Sequence, residues 1–538
     1  MNELPFVAFA RLTAATVLLS APMAPLRHPL VFSGHSGGYG VVWHRTEVDG
    51  VPAYWAEGDE DQRRVYLAFR VGLADEQLAW RGITHLVEHL AMHAVGGPIH
   101  DSNGQVGAVT TVFAAHGADT GTADFVTGVC RALRALPFDR LERENQVLRT
   151  EAGTRGAALT DPLVIWRYGA ATYGLPAYDE LGVGRHTPDR IAAWAGRWFT
   201  RRNLVLVFAG GPPPADLTID LPEGERMPPP EPSSALPGTP AYFRQPGGSV
   251  AMTSVVRRST AAQVYSVLLR NRLHRSLRQE AALSYTPGTS YDARDGRYAH
   301  LTAYTDGLAE NHDRLLSAFL HEIELLADHL TAPKEVSDVV TRVRAGRRKA
   351  SATSRAYGNA LRELLGAEPY TDAHLESDLD TVDTEVVQRT AVEVLDSAVV
   401  MVPGSRAPSA RYRPAPRFSS GGVDGEALRS TNAPVDSSRL IVGADGVSLF
   451  RGPRPLTVRF RECEAMLAWP DGARRLIGRD GFLLTVEPTL WTRGASLTAR
   501  LDAGVPADRV VPMPRRPAGE IPVARTSRYE RVRARFKH

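Results

Sequence analysis

His85-Leu86-Val87-Glu88-His89 is the stretch that decides the reading of this chain. On a helix, residues three and four apart share a face, so His85 and His89 point the same way with Glu88 beside them. Two imidazoles at that spacing can hold a metal ion such as zinc, and zinc brings the pKa of a bound water down to about 7. A carboxylate next to the second imidazole is placed to take that water's proton. The plainer reading is a helix carrying two unrelated histidines, since the chain has 16 of them. The surroundings favour the first. Leu86, Val87 and Leu90 give the helix an apolar face to bury. Gly82 and Thr84 form an entry turn, with Thr84 available as a cap. Upstream, Val65-Tyr66-Leu67-Ala68-Phe69-Arg70-Val71 reads as a strand.

Two histidines need a third protein ligand. Candidates lie in Leu141-Glu142-Arg143-Glu144-Asn145-Gln146-Val147-Leu148-Arg149-Thr150-Glu151, where Glu144 and Glu151 stand two helical turns apart on one face. Either reaches a metal on spacing alone. A solvated acidic and basic helix face is the ordinary alternative for such a run.

Together these stretches resemble the pitrilysin/insulinase family of zinc metallopeptidases, the inverzincins. Arg81-Gly82-Ile83-Thr84-His85-Leu86-Val87-Glu88-His89-Leu90 is similar to that family's G-x-x-H-x-x-E-H-L helix. Glu142-Arg143-Glu144 through Glu151 is similar to its E-R-E-x6-E helix. The resemblance implies zinc, one ion per chain, on His85, His89 and Glu151. It makes Glu88 the general base and Glu144 an outer carboxylate orienting a ligand histidine. A third match, Arg278-Gln279-Glu280-Ala281-Ala282-Leu283-Ser284-Tyr285, keeps the family's Arg and Tyr seven residues apart. It follows an amphipathic helix with Val264, Leu268, Leu269, Leu273 and Leu277. By resemblance, Arg278 and Tyr285 bind the substrate carbonyl and stabilise its oxyanion.

The chain departs from the family pattern after the zinc helix. Ala91-Met92-His93-Ala94-Val95-Gly96-Gly97 replaces a phenylalanine-rich turn ending in Gly-Thr. The family's substrate-pairing edge strand begins Asn-Ala-x-Thr. Gly107-Ala108-Val109-Thr110 stands in that role here, which assigns Ala108, Val109 and Thr110 to substrate binding. The shorter interval to Glu151 places a deletion around residues 96–104.

Length and composition agree with a globular, multidomain protein. The chain has 538 residues, with 43% hydrophobic and 23% charged, and a net charge of only +3. That balance gives no electrostatic case for nucleic acid. Cys130 and Cys463 show no metal or disulfide spacing and read as buried thiols in a reducing compartment, hence a cytoplasmic protein. Residues 12–23 are apolar and of signal-peptide length. The n-region, however, carries Glu3 and its only basic side chain is Arg11, so secretion is the lesser reading.

The fold class expected is α+β: two homologous αβ domains of the pitrilysin/insulinase type, then a small all-β domain. Residues 1–37 form a flexible leader and 38–210 the metal-binding domain, closed by the buried strand Leu204-Val205-Leu206-Val207-Phe208. A Pro-rich linker covers 211–240. The second αβ domain covers 241–405, with an amphipathic helix over 315–330 and a closing strand Val399-Val400-Met401-Val402. A linker spans 406–435. Short alternating runs punctuated by Asp-Gly over 436–512 indicate the β domain, weakly similar to pleckstrin-homology-like barrels. A basic disordered tail covers 513–538.

The function expected is hydrolysis of peptide bonds in peptides or small unfolded proteins. The substrate lies extended along the edge strand near residues 108–113. The family encloses substrate between two pairs of such domains, and this chain carries one pair. A homodimer, or a heterodimer with a related subunit, is therefore the expected assembly. Two rivals stand beside this. One is a non-catalytic peptide-binding or scaffold subunit. The other is an adaptor that contacts a membrane or a protein through its C-terminal β domain.

Overall fold

A computed structural model describes residues 43–524 apart from 58–62, 96–100, 118, 155, 157 and 433–435. The expected leader lies outside the described residues, as does 525–538 of the expected tail. The architecture is α+β, with two αβ units followed by a smaller sheet-rich block.

The first unit runs β1 (Trp43–Val48), β2 (Val51–Ala56), β3 (Arg63–Phe69), α1 (Ile83–Ala94), β4 (Asp101–Val106), β5 (Thr111–Gly117), α2 (Asp119–Arg134), α3 (Leu141–Thr154), α4 (Asp161–Tyr168), α5 (Pro188–Trp198) and β6 (Leu204–Ala209). Its six strands lie in the order β1-β2-β6-β3-β5-β4. The second unit runs β7 (Ala241–Arg244), β8 (Ser249–Arg257), α6 (Thr260–Leu273), β9 (Gly288–Ala293), β10 (Tyr298–Asp306), α7 (His312–Asp328), α8 (Pro333–Lys349), α9 (Ala352–Leu364), α10 (Asp372–Asp380), α11 (Thr384–Asp396), β11 (Val399–Val402) and β12 (Arg413–Pro414). Its sheet order is β12-β7-β11-β8-β10-β9.

Five strands correspond one to one. β2 and β7 pair parallel with the closing strands β6 and β11. Those pair antiparallel with β3 and β8. These in turn pair antiparallel with β5 and β10, and β4 and β9 form the edges. The similar closing strands seen in the sequence are thus topological equivalents. Both are apolar at every position because both faces of each sheet are covered. In β6, Leu204, Leu206 and Phe208 face the main core of their unit, while Val205 and Val207 face the other way.

What covers that other face is a helix from the opposite unit. Ala352, Ala356, Ala360 and Leu364 of α9 pack on Tyr54, Val205 and Val207 of the first sheet. Alanine every fourth residue lets the helix lie close to the strands. In return, Leu163 and Trp166 of α4 pack on Phe243, Ala251, Val399 and Met401 of the second sheet. Each such buried large apolar side chain stabilises by about 1.5–3 kcal/mol. The segment 211–240 is not a free linker. Leu217, Ile219 and Leu221 are buried in the first unit's core, and Arg70 Nε donates to Met227 O at 3.1 Å.

The C-terminal block has two four-stranded sheets. One holds β13 (Glu426–Arg429), β14 (Arg439–Val442), β15 (Gly446–Phe450) and β16 (Pro455–Arg459). The other holds β17 (Cys463–Ala468), β18 (Arg474–Gly478), β19 (Leu483–Val486) and β20 (Val510–Pro512). One helix, α12 (Gly494–Gly504), fills the space between them with Leu497 and Leu501, so the block is not purely sheet. The first strand lies at 426, inside the expected linker. The start of the expected tail is anchored: Arg516 forms two-pronged ion pairs with Asp471 and Glu487. Cys130 and Cys463 are buried free thiols. Among the described residues no helix is long and apolar enough to cross a membrane.

Candidate metal centre

The residue before α1 is Gly82, whose φ of 102° suits glycine. The helix's open first-turn amides are met by a buried carboxylate rather than by Thr84, which lies within the helix. Glu76 accepts from Gly82 N at 3.0 Å and from Thr84 N at 2.8 Å. A carboxylate at a helix N-terminus also complements its dipole. Burial pushes the Glu76 carboxyl up, and Arg81, 3.8 Å away, opposes that shift.

The buried face of α1 carries Leu86, Val87 and Leu90 into the core and leaves His85 and His89 partly exposed on the opposite side. Their rings are 4.8 Å apart at 83°. Each Nδ1 faces its own acidic partner: His85 lies 3.1 Å from Glu180 Oε1, and His89 lies 3.3 Å from Glu144 Oε2. A carboxylate accepting from Nδ1–H leaves the Nε2 lone pair free to bind a metal. Both Nε2 atoms point to the same place. Glu151 on α3 lies 3.8 Å from that of His85 and 3.7 Å from that of His89. Glu88 lies 3.9 Å and 3.8 Å from the same two atoms.

A tetrahedral zinc ion with ligand atoms at about 2.1 Å requires them to be about 3.4 Å apart. Among the described residues, His85, Glu88 and His89 each offer one ligand atom within 4.8 Å of the others, and Glu151 comes within 3.8 Å of both Nε2 atoms; two imidazoles with a carboxylate form a donor set suited to zinc. Glu88 meets both Nε2 atoms through the single oxygen Oε2, whereas Glu151 meets them through its two different oxygens. Their surroundings differ: the Glu88 side chain is 7% exposed and that of Glu151 is 45% exposed. Burial pushes the Glu88 carboxyl up to about 7; Glu151 and Glu144 add to this, while His85 opposes it. A group that titrates near neutrality suits general acid–base work. Burial, then His85, lowers the pKa of His89, which keeps the imidazole neutral as a metal ligand requires.

Two expected features are placed differently. The edge strand is β4, not the segment around 108–113. β4 begins inside the stretch expected as a deletion, taking up its last four positions, 101–104, and it carries Asn103-Gly104. Gly104 lies against the base, where a Cβ would stand 1.6 Å from Glu88 Oε1. Polar residues and an Asn-Gly pair hid this strand from a hydrophobic pattern. Ala108, Val109 and Thr110 form the turn between β4 and β5, and their backbone is already used: Ala74 N donates to Ala108 O, Arg70 Nη1 to Val109 O and Gly107 N to Thr110 O. The Val109 side chain is buried against Tyr168 and Tyr173. These residues do not offer an edge to a substrate.

Arg278 and Tyr285 lie in and after a π-helical turn, His274–Glu280, that extends α6. The guanidinium stands over the Tyr285 ring at 4.7 Å and Tyr285 is 72% exposed. Arg278 also meets His274 Nε2 at 3.4 Å. The structure brings the pair together but does not bring it into contact with the His85–His89 cluster. Glu180 is the site residue that sequence reasoning missed. It lies 95 positions from His85 in a Gly-punctuated loop, and no helical or strand period links the two.

No protein-family model and no curated protein matches the sequence. Solved structures do match the fold. A peptidase M16 inactive domain from Pseudomonas fluorescens covers 70% of this chain and is itself fully covered, at 15% identity and TM-score 0.57. A protease from Helicobacter pylori covers 68% and is also fully covered, at 14% identity and TM-score 0.57. The ferredoxin protease FusC, as a mutant in complex with Arabidopsis ferredoxin, covers 80% of this chain and is covered over 56%, at 14% identity and TM-score 0.52. The αβ units therefore have the fold of M16 peptidase domains.

Proposed function

We propose that this chain is a zinc-dependent metalloendopeptidase acting on peptides or small unfolded proteins. The observation that carries the reading is the convergence of both Nε2 atoms with the Glu151 and Glu88 carboxylates, while each Nδ1 is held by a separate carboxylate. His85, His89 and Glu151 would hold the ion. Bound zinc supplies a Lewis acid that acidifies water and polarises a carbonyl. Glu88 takes the proton of the attacking water and returns it to the leaving amine. Glu144 and Glu180 fix the two imidazoles. Among the described residues no strand pairs with the outer edge of β4, which runs beside Glu88, so an extended peptide would pair there. Arg278 and Tyr285 would approach the carbonyl from the second unit. A second copy or a related subunit would complete an enclosure around the substrate, in a cytoplasmic setting that suits two buried thiols.

The rival is a non-catalytic peptide-binding subunit, and one finding favours it: the fold is also that of a peptidase M16 inactive domain. Metal content and cleavage of a quenched peptide library, measured on wild type, Glu88→Gln and Glu151→Gln, separate the two. The enzyme reading expects about one zinc per chain in wild type and Glu88→Gln, loss of zinc in Glu151→Gln, and cleavage by wild type alone. Zinc bound without cleavage by wild type, alone or mixed with a candidate partner, would select the binding subunit. No zinc in wild type would sink the metal site itself.

A further inference from the structure

We infer that the C-terminal block is a positioning element of the metal centre: it holds the loop that keeps Glu180 on His85. The inference rests on the proposed metal site. It concerns a part of the chain that the peptidase reading leaves without a role.

The loop between α4 and α5 runs over 169–187 and contains only one short helical turn, Thr172–Ala177. Glu180 is 5% exposed at its side chain and meets two groups of the α1 entry: His85 Nδ1 at 3.1 Å and Arg81 Nη1 at 3.9 Å. Arg81 is itself fixed by the same loop, donating to Leu175 O at 2.6 Å and Pro176 O at 3.1 Å. Gly182 N closes the circuit on Arg81 O at 2.9 Å. One side of the loop is therefore committed to the metal helix.

The other side is committed to the C-terminal block. Leu78, Leu175 and Tyr178 share one buried cluster with Leu467, Trp469 and Ile477, and Leu181, next to Glu180, packs against it. Three hydrogen bonds cross the junction. Trp80 Nε1 donates to Asp508 O at 2.9 Å, Arg185 Nη2 to Val510 O at 2.7 Å, and Ala170 N to Arg479 O at 3.0 Å. Gly169 admits no side chain, because a Cβ would stand 2.0 Å from Arg479 O. The loop's own backbone bonds are local turns spanning two or three residues, such as Tyr178 N to Leu175 O and Val183 N to Glu180 O, which shape it without tying it to its surroundings; irregular segments draw their placement from what they pack on. Outer partners of metal-bound histidines typically change affinity by roughly 10–100-fold when lost.

The test uses the full chain and reads zinc affinity by competition with a chelator. Hydrogen exchange over 175–187 is measured in the metal-free protein. Glu180→Ala is expected to weaken zinc binding roughly 10–100-fold. Nitrogen-15 shifts of the His85 ring should report the Nδ1–H tautomer in wild type and lose that preference in Glu180→Ala. The paired change Trp80→Phe with Arg185→Met removes two of the crossing bonds, together with the long 3.5 Å contacts of Arg185 to Ala79 O and Leu181 O, and keeps the apolar contact. It is expected to speed exchange over 175–187 by about tenfold or more and to weaken zinc binding several-fold. Arg500→Met serves as the control: it breaks an ion pair with Glu426 inside the block, away from this junction, and should leave both readouts at wild-type values. Wild-type affinity and exchange in the Trp80/Arg185 variant would overturn the inference while leaving the metal site standing. An equal loss in Arg500→Met would also overturn it, by showing a general loosening. Absence of zinc binding in wild type overturns the metal reading and this inference with it.

Discussion

The two αβ units share the order of five strands and the place of their first helix, yet among the described residues only one carries a cluster that could hold a metal. α1 and α6 occupy the same place, between the second strand of the shared sheet and its edge strand. α1 presents two imidazoles and a carboxylate. α6 presents Val264, Leu268 and Leu269 to its core, with no metal-binding side chain along its length. Each helix is linked to the second α-helix that follows it. In the first unit the link is His89 to Glu144 of α3. In the second it is a full ion pair, Arg272 to Glu335 of α8, at 3.0 and 2.7 Å. The entry turns differ too. Ser259 caps α6 from the adjacent residue, while α1 is capped by Glu76 from the preceding loop. The lesson is that the fold provides a slot and side chains decide what occupies it. In one unit the slot holds groups arranged for chemistry; in the other a neutralised charge pair that only ties helices together.

The largest expected effect tests the active side of this contrast. Glu88→Gln should lower peptide hydrolysis by about 10²–10⁴-fold, with zinc content unchanged, as measured by single-turnover cleavage and metal analysis. Retained hydrolysis would remove Glu88 from the role of base. A second test concerns what the units share. Ala360→Arg in α9 forces a long cation between α9 and the first sheet, and should cost about 3 kcal/mol or more by chemical denaturation. A change within about 0.5 kcal/mol would mean that this helix does not lie where it is described.

The third prediction concerns the seam between the units. Tyr168 Oη lies 2.6 Å from His300 Nε2, and burial, helped by Arg167 and Arg294, drops the His300 pKa to about 3. The folded protein therefore resists a proton that the unfolded chain accepts below about 6.5. Stability from this group is complete above pH 6.5 and falls as pH drops toward 3, by up to about 2 kcal/mol at pH 5. His300→Gln should flatten the slope of unfolding free energy between pH 6.5 and 4; an unchanged slope would show that His300 is not shielded. The smallest effect lies in the second slot. Arg272→Met should cost about 1–2 kcal/mol and leave zinc affinity untouched, because its partner Glu335 belongs to a unit without a metal site. A fall in zinc affinity would show that the two slots communicate.

Much of this was legible in the chain because the signals were local. The spacing of His85, Glu88 and His89 is a one-turn pattern, and Glu144 to Glu151 is a two-turn one. Continuous apolar runs marked β6 and β11. The rest depended on contacts between distant segments. β4 is polar, contains Asn103-Gly104 and reads as a turn; the sheet, not its own composition, makes it a strand. Glu180 reaches His85 through tertiary packing alone. The alanines of α9 carry no signal in the chain that names the opposite sheet as their target. The tail was read from its arginines, whereas Arg516 is fixed by Asp471 and Glu487.

The crossing of α4 and α9 has a consequence for how the chain tolerates being cut. Neither half can cover its own sheet, so each expressed alone would expose a broad apolar surface and aggregate. Co-expressed as two polypeptides divided near residue 232, in the proline-rich stretch, they should clasp each other and be recovered as one soluble complex. The covalent connection between the halves would then be dispensable, with the mutual embrace serving as the bond.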